Sequence, residues 1–115
     1  MRPRIRILIV VVVMVAAVGL LTYRSIQPRI VQASSVEVKI DNFTFAPNTI
    51  RVRAGTRITW TNRDDIPHTV VEEGKIFKSK VLDTDEMYTY TPTTPGTYRY
   101  YCSIHPKMTA KLIVE

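Results

Sequence analysis

The stretch with the clearest chemistry lies close to the C-terminus and combines three side chains that bind transition metals. Cys102, His105 and Met108 follow one another with two residues between each pair, and Cys102 is the only cysteine in the sequence. A thiolate, an imidazole and a thioether suit the softer transition metals, and a lone cysteine has no disulfide partner within the chain. The spacing therefore predicts a metal site in this loop.

The fourth ligand of such a site is expected from the only other histidine, His68, which follows Pro67 at the start of a predicted strand. Two imidazoles and one thiolate, with a weak axial methionine, form the ligand set of a blue-copper electron-transfer site. We therefore expect His68, Cys102, His105 and Met108 to bind one copper ion. No catalytic residue is predicted.

Each of these residues has a commoner explanation when it is taken alone. A single methionine usually fills a core, and a single cysteine is commonly a small buried apolar residue. These explanations fail jointly, because the three loop residues share a fixed spacing and the chain supplies one further histidine. A free thiol in an oxidising compartment is also a liability, which a bound metal removes.

The positive charge of the chain is concentrated at its N-terminus. The formal net charge is +6, yet five of the sixteen basic residues precede position 30. From Val36 onward, eleven basic residues face ten acidic ones, which leaves 11 − 10 = +1. This balance provides no basic surface for a phosphate backbone, so nucleic acid is not expected as a partner. The early basic residues are Arg2, Arg4, Arg6, Arg24 and Arg29.

The N-terminal segment predicts export. Three arginines within residues 1–6 precede an apolar run, 7–21, that has no charged side chain. As a helix, 7–23 is about 26 Å long at ~1.5 Å per residue, slightly short of a membrane span. We expect an uncleaved membrane anchor with the rest of the chain outside the cytoplasm, in the periplasm or on the outer face of the cytoplasmic membrane. Cleavage after Ala33 is the alternative.

The remaining chain predicts an all-β domain. Residues 1–35 are assigned to the signal or anchor helix and its tether, and residues 36–115 to one domain with period-two alternation and regular turns. Tyr98, Tyr100 and Cys102 share one face of a strand and are expected to point inward, and Trp60 is expected in the core. The predicted strands are 36–40, 49–53, 57–61, 69–72, 87–91, 97–102 and 110–114, with an irregular edge strand near 77–81.

Several motifs together resemble the cupredoxins. They are "PGTYRYYCSIHPKM" with "AKLIVE", and "NFTFAPNTIRVRAGTRITWTN" and "PHTV" upstream, so the resemblance covers residues 36–115. The short loop is similar to that of amicyanin rather than to the longer loops of plastocyanin, pseudoazurin or azurin. The resemblance implies a Greek-key β-sandwich with copper at one end, and His68, Cys102, His105 and Met108 match the four ligand positions.

Two positions depart from the family pattern. Thr69 stands where many relatives have an asparagine that ties the two ligand loops together, and a threonine offers a hydroxyl in place of an amide. Ile104 stands where the amicyanin loop usually has proline. The first departure puts the link between the loops in question, and the second predicts a less rigid loop.

The resemblance implies a monomeric one-electron carrier rather than an enzyme. Its partners would be transient redox proteins: an exported dehydrogenase as donor, and a c-type cytochrome or oxidase as acceptor. The exposed edge of His105 would be the contact surface, with Lys107 close by and with Ile66, Pro67, Ile104 and Pro106 as an apolar ring. Copper delivery or storage by the same ligands is the alternative, and a Cys–His hydrolase is a remote one.

Overall fold

The computed structural model describes residues 35–115, which form two four-stranded sheets packed face to face. One sheet has the strand order β2-β1-β4-β6 and the other β3-β8-β7-β5. This architecture confirms the predicted all-β sandwich. The strands are β1 (Ser35–Asp41), β2 (Thr44–Ala46), β3 (Thr49–Val52), β4 (Arg57–Asn62), β5 (Val71–Glu72), β6 (Met87–Tyr90), β7 (Gly96–Tyr101) and β8 (Thr109–Val114).

Each sheet contains one parallel pair among antiparallel ones. In the first sheet β1 runs parallel to β4, with Ser35 opposite Arg57. In the second, β3 runs parallel to β8, with Thr49 opposite Lys111. Strands that are neighbours in a parallel pair cannot be joined by a short turn, so the chain crosses between the sheets to make these pairs. The last strand is therefore paired with one from the first part of the described chain.

The core lies between the sheets and is built by the period-two alternation. Val38 and Trp60 are opposite each other in the first sheet and are both fully buried. Tyr100 and Cys102 are buried from the second sheet, and the Tyr100 ring packs edge-on against Trp60 at a centroid distance of 5.6 Å. The predicted inward orientation of Trp60, Tyr100 and Cys102 is confirmed.

The segment around His68 is less regular than predicted. The expected strand 69–72 is reduced to Val71–Glu72, and the expected edge strand near 77–81 is replaced by two isolated bridges, one of them between His68 and Leu82. The strand is shorter because two amides that it would use for pairing are bound by side chains instead. The Thr69 N–H donates to the sulphur of Cys102, and the Val70 N–H donates to the hydroxyl of Ser79.

One further difference concerns β2. β2, which pairs with the end of β1, was not among the predicted strands. The predicted anchor helix and most of its tether lie outside the described residues. Within 35–115 there is no helix long and apolar enough to cross a membrane.

Candidate metal centre

Three of the four predicted ligands meet in the folded chain. Their donor atoms are the Nδ1 atoms of His68 and His105 and the Sγ atom of Cys102, and all lie within 4.8 Å of one another. The sulphur is 3.7 Å from each nitrogen. Metal bonds of about 2.0 to 2.3 Å, as zinc makes to imidazole and thiolate, separate two ligands by roughly 3.5 Å at a trigonal or tetrahedral angle. The spacing therefore fits donors that share one ion.

The loop between β7 and β8 supplies two of these donors and buries the fourth predicted ligand. Cys102 directly follows β7 and Met108 directly precedes β8. The Cys102 N–H donates to the Met108 carbonyl at 3.0 Å, and the Met108 N–H donates to the His105 carbonyl at 2.9 Å. Met108 is 6% exposed and belongs to the same buried cluster as Cys102. These bonds close the loop tightly around the site.

His68 is oriented by a carboxylate behind it. Its Nε2–H donates to Asp64 Oδ2 at 2.7 Å, since a carboxylate can only accept, and this contact directs Nδ1 towards Cys102 Sγ, 3.7 Å away. Burial opposes the charge on Asp64, but the N–H groups of Phe43 and Asn42 and the His68 ring outweigh it and lower the pKa of the carboxyl. A carboxylate behind a metal-binding histidine fixes its tautomer and its orientation.

The Cys102 thiol is prepared to ionise. Burial by itself would raise its pKa, but the Thr69 N–H and the rings of His68 and His105 oppose this and lower the pKa to about 6. The Thr69 N–H lies 3.4 Å from the sulphur. The thiolate is the form that binds metal, so the site has its anionic ligand at neutral pH.

Thr69 links the two ligand loops through its hydroxyl. The Ser103 N–H donates to Thr69 Oγ1 at 2.7 Å, and the two hydroxyl oxygens also lie 2.7 Å apart. A threonine thus makes a link at the position where many relatives have asparagine. The loop that carries His68 is joined directly to the loop that carries Cys102 and His105.

Two residues at this site were not predicted from the sequence. Asp64 and Phe43 contact the histidines, and neither carries a motif that points to a metal. The one signal for Asp64 is its place four residues before His68 in a turn, where a carboxylate can reach back to the imidazole. Phe43 comes from the turn between β1 and β2, which was not predicted.

The residues of the predicted apolar ring are all at least partly accessible to solvent. Pro67, Ile104 and Pro106 are exposed and Ile66 is half-buried, while His105 itself is half-buried. Lys107 is also exposed in the same loop. The role of this surface in contacting a partner stays a prediction.

Known proteins share this fold and these sequence features. The family model described as a cupredoxin-like domain matches residues 8–114. Amicyanin-alpha of Methylorubrum extorquens is 38% identical over 88 residues, covering 72% of this chain and 74% of the relative. Amicyanin of Paracoccus versutus is 31% identical over 90 residues, covering 74% and 68%. A solved structure of an amicyanin mutant in its Cu(I) form superimposes with a TM-score of 0.67 at 31% identity, covering 75% and 87%.

The chain belongs to the cupredoxin family. It is a type 1 copper electron carrier with amicyanin-like features, which confirms the predicted class, cofactor and activity. Its relatives transfer electrons between partner proteins and are not enzymes.

Proposed function

We propose that His68, Cys102, His105 and Met108 hold the copper ion of this carrier. The observation that carries the proposal is the convergence of two imidazole nitrogens and a low-pKa thiol within 4.8 Å. When bound, copper cycles between Cu(I) and Cu(II) and so accepts and releases one electron. Met108 would be the fourth ligand, because its thioether suits copper and it is buried in the same cluster as Cys102.

Hydrogen bonds from several segments restrain the proposed ligands. Asp64 holds His68, and Thr69 joins the two ligand loops. The main-chain bonds between Cys102 and Met108 and between Met108 and His105 close the ligand loop. A frame fixed in this way limits the rearrangement of the ligands on electron transfer. Cys102 and Met108 lie inside, whereas the half-buried His105 offers an edge to a partner, ringed by Ile66, Pro67, Ile104 and Pro106.

The cellular setting is proposed from the N-terminal sequence and the family. Residues 1–35 would export or anchor the chain, and residues 36–115 would be the copper domain on the outer side of the cytoplasmic membrane. The partners would be an exported dehydrogenase as donor and a c-type cytochrome or oxidase as acceptor. The chain would act as a monomer and would catalyse no reaction of its own.

The test of the ligand assignment is anaerobic loading with one equivalent of copper, followed by oxidation and a visible spectrum. We expect an intense blue charge-transfer band from the Cys102 thiolate, abolished by Cys102→Ser. A complex that shows only weak d–d absorption would contradict a type 1 site. Repeated reduction and oxidation beside an apo-acceptor protein separates the alternatives, because a carrier keeps its copper whereas a delivery protein loses it.

A further inference from the structure

The turn between β1 and β2 contains a residue that does not suit it. Asn42 and Phe43 connect the paired residues Asp41 and Thr44, and both have positive φ, 51° and 58°. Two-residue hairpin turns with positive φ at both positions favour Asn followed by Gly. Asn42 follows this preference, whereas a bulky residue at positive φ is sterically strained. Phe43 therefore occupies a position where glycine would suit the backbone better.

The Phe43 side chain is half exposed, so burial of its ring gives little compensation for this strain. Phe43 is 52% exposed as a whole residue. Its buried part lies against both histidines of the site, with centroid distances of 5.6 Å to His68 and 5.1 Å to His105 and interplanar angles of 88° and 85°. These are edge-to-face contacts within the favourable range of about 4.5 to 7 Å. One aromatic ring therefore contacts both imidazoles.

The same carboxylate that holds His68 also holds the Phe43 turn. Asp64 Oδ2 accepts from the Phe43 N–H at 3.0 Å and from His68 Nε2 at 2.7 Å. Asp64 Oδ1 accepts from the Asn42 N–H at 2.6 Å. Asp64 is almost buried, at 9% exposed, so these bonds have little competition from water. The turn, the carboxylate and the His68 ring are thus one connected unit.

We propose that Phe43 is a positioning residue of the copper site, which keeps the imidazole of His105 in place relative to that of His68. The proposal rests on the ligand assignment above and concerns a residue that binds no metal itself. Strained residues persist where the surrounding structure holds them, and they are concentrated at functional sites. Here the hydrogen bonds from the Asn42 and Phe43 N–H groups to Asp64 hold the strained turn in place.

The need for such a residue follows from the different surroundings of the two histidines. His68 is fully buried and is fixed by Asp64 through its second nitrogen. His105 is half-buried in the exposed ligand loop, and among its contacts Phe43 provides an aromatic wall that restricts rotation of its ring. Without that wall, the His105 ring would sample other rotamers in the metal-free protein and would leave the metal more readily.

The test compares Phe43→Gly with Lys75→Gly. Lys75 is an exposed residue that also has positive φ, 61°, in the turn after β5. Both changes relieve a strained backbone, but only the first removes the ring beside the histidines. In the metal-free protein we expect both variants to unfold at or above the parental midpoint. The His105 ring resonances should shift and broaden in Phe43→Gly alone, and Phe43→Tyr should restore them.

The copper-loaded proteins provide a second readout. We expect the rate of copper transfer to a chelator to rise several-fold in Phe43→Gly and to remain parental in Lys75→Gly and Phe43→Tyr. His105 resonances and copper release that are the same in Phe43→Gly as in the parent would overturn the proposal. Failure of the ligand assignment would be distinguishable, because it would appear as the absence of the blue band in the parent.

A measurement on the unaltered protein keeps the proposal testable even when a variant fails to fold. Nuclear Overhauser contacts are expected from the Phe43 ring protons to the ring protons of both His68 and His105. Their presence would support a ring that touches both imidazoles in solution. Their absence from the metal-free parent would show that Phe43 does not restrain the site.

Discussion

At the scale of single residues, opposing effects on the pKa of the Cys102 thiol favour its ionised form in the metal-free protein. Burial disfavours a charged sulphur, yet the Thr69 N–H and the two imidazoles favour it more strongly, so the pKa of the thiol falls to about 6. Folding therefore stabilises the thiolate. The protein has its anionic ligand ready at neutral pH, and a metal need not displace a proton from it.

This shift predicts a pH dependence for the stability of the metal-free protein. The pKa of Cys102 falls from an ordinary value of 9.0 to about 6 in the folded protein. The resulting stabilisation is fully present above pH 9 and is lost as the pH falls through about 6. Urea unfolding of the metal-free protein at pH values from 6 to 9 should show stability rising with pH. Cys102→Ser serves as the control, and an equal rise in that variant would contradict the assignment to Cys102.

At the scale of structural elements, the loop from the end of β4 to His68 depends on one buried amide. Asn62 is fully buried, and its Nδ2 group donates to the carbonyls of Ile66 and Leu82, both at 2.9 Å. Its Oδ1 atom accepts from the Asp64 N–H at 2.9 Å. One side chain therefore connects the turn at residues 64–66 to Leu82, the residue that pairs with His68 in an isolated bridge.

Replacement of the Asn62 side chain should lower the free energy of unfolding by more than the small size of the side chain suggests. Asn62→Ala removes three hydrogen bonds and leaves the buried Asp64 N–H without its acceptor and the Ile66 carbonyl without the Asn62 donor. We therefore expect a loss of about 2 to 4 kcal/mol in the free energy of unfolding. Asn48→Ala is the matched control, because Asn48 makes one exposed side-chain bond, to the Thr109 carbonyl. Urea unfolding of the metal-free proteins measures both. Equal losses in the two variants would contradict the role given to Asn62.

The same loop shows where prediction from the sequence succeeds and where it stops. β1, β4, β7 and β8 follow from period-two alternation, because each buries one face against the opposite sheet. The convergence of His68, Cys102 and His105 was predicted from donor chemistry, which needs no coordinates. The backbone course of residues 64–70 could not be predicted by either rule, because the amides of Thr69 and Val70 are bound by side chains from other segments. Asp64 and Phe43 were not predicted either, because their roles depend on contacts with the histidines that form only in the folded chain.

At the scale of the whole molecule, the copper domain is nearly neutral although the chain is basic. The balance of +1 from Val36 onward gives little long-range attraction for a partner of either sign. Recognition by this domain would then depend on the short-range apolar surface around His105. Fast and reversible contact is the requirement for a carrier that meets two different proteins in turn.

Copper should also stabilise the whole sandwich, because its proposed ligands come from two separate segments. An ion that binds the folded state stabilises it by about 2.7 kcal/mol at one hundred times its dissociation constant. We expect the thermal midpoint of the parent to rise on loading. His68→Ala should lose most of this rise, since it removes the ligand that joins the upstream loop to Cys102 and His105. An undiminished rise in His68→Ala would show that the metal binds elsewhere.

The parallel pairs of the two sheets have a consequence for the order of folding and metal uptake. Because β3 pairs with β8, strands from opposite ends of the described chain must meet before the second sheet is complete. Contacts between residues so distant in sequence form slowly, and proteins rich in them fold slowly. We expect His68 and Cys102 to meet late as well, because they are 34 residues apart in the sequence. Copper would therefore enter a finished domain, and the refolding rate would be independent of the metal.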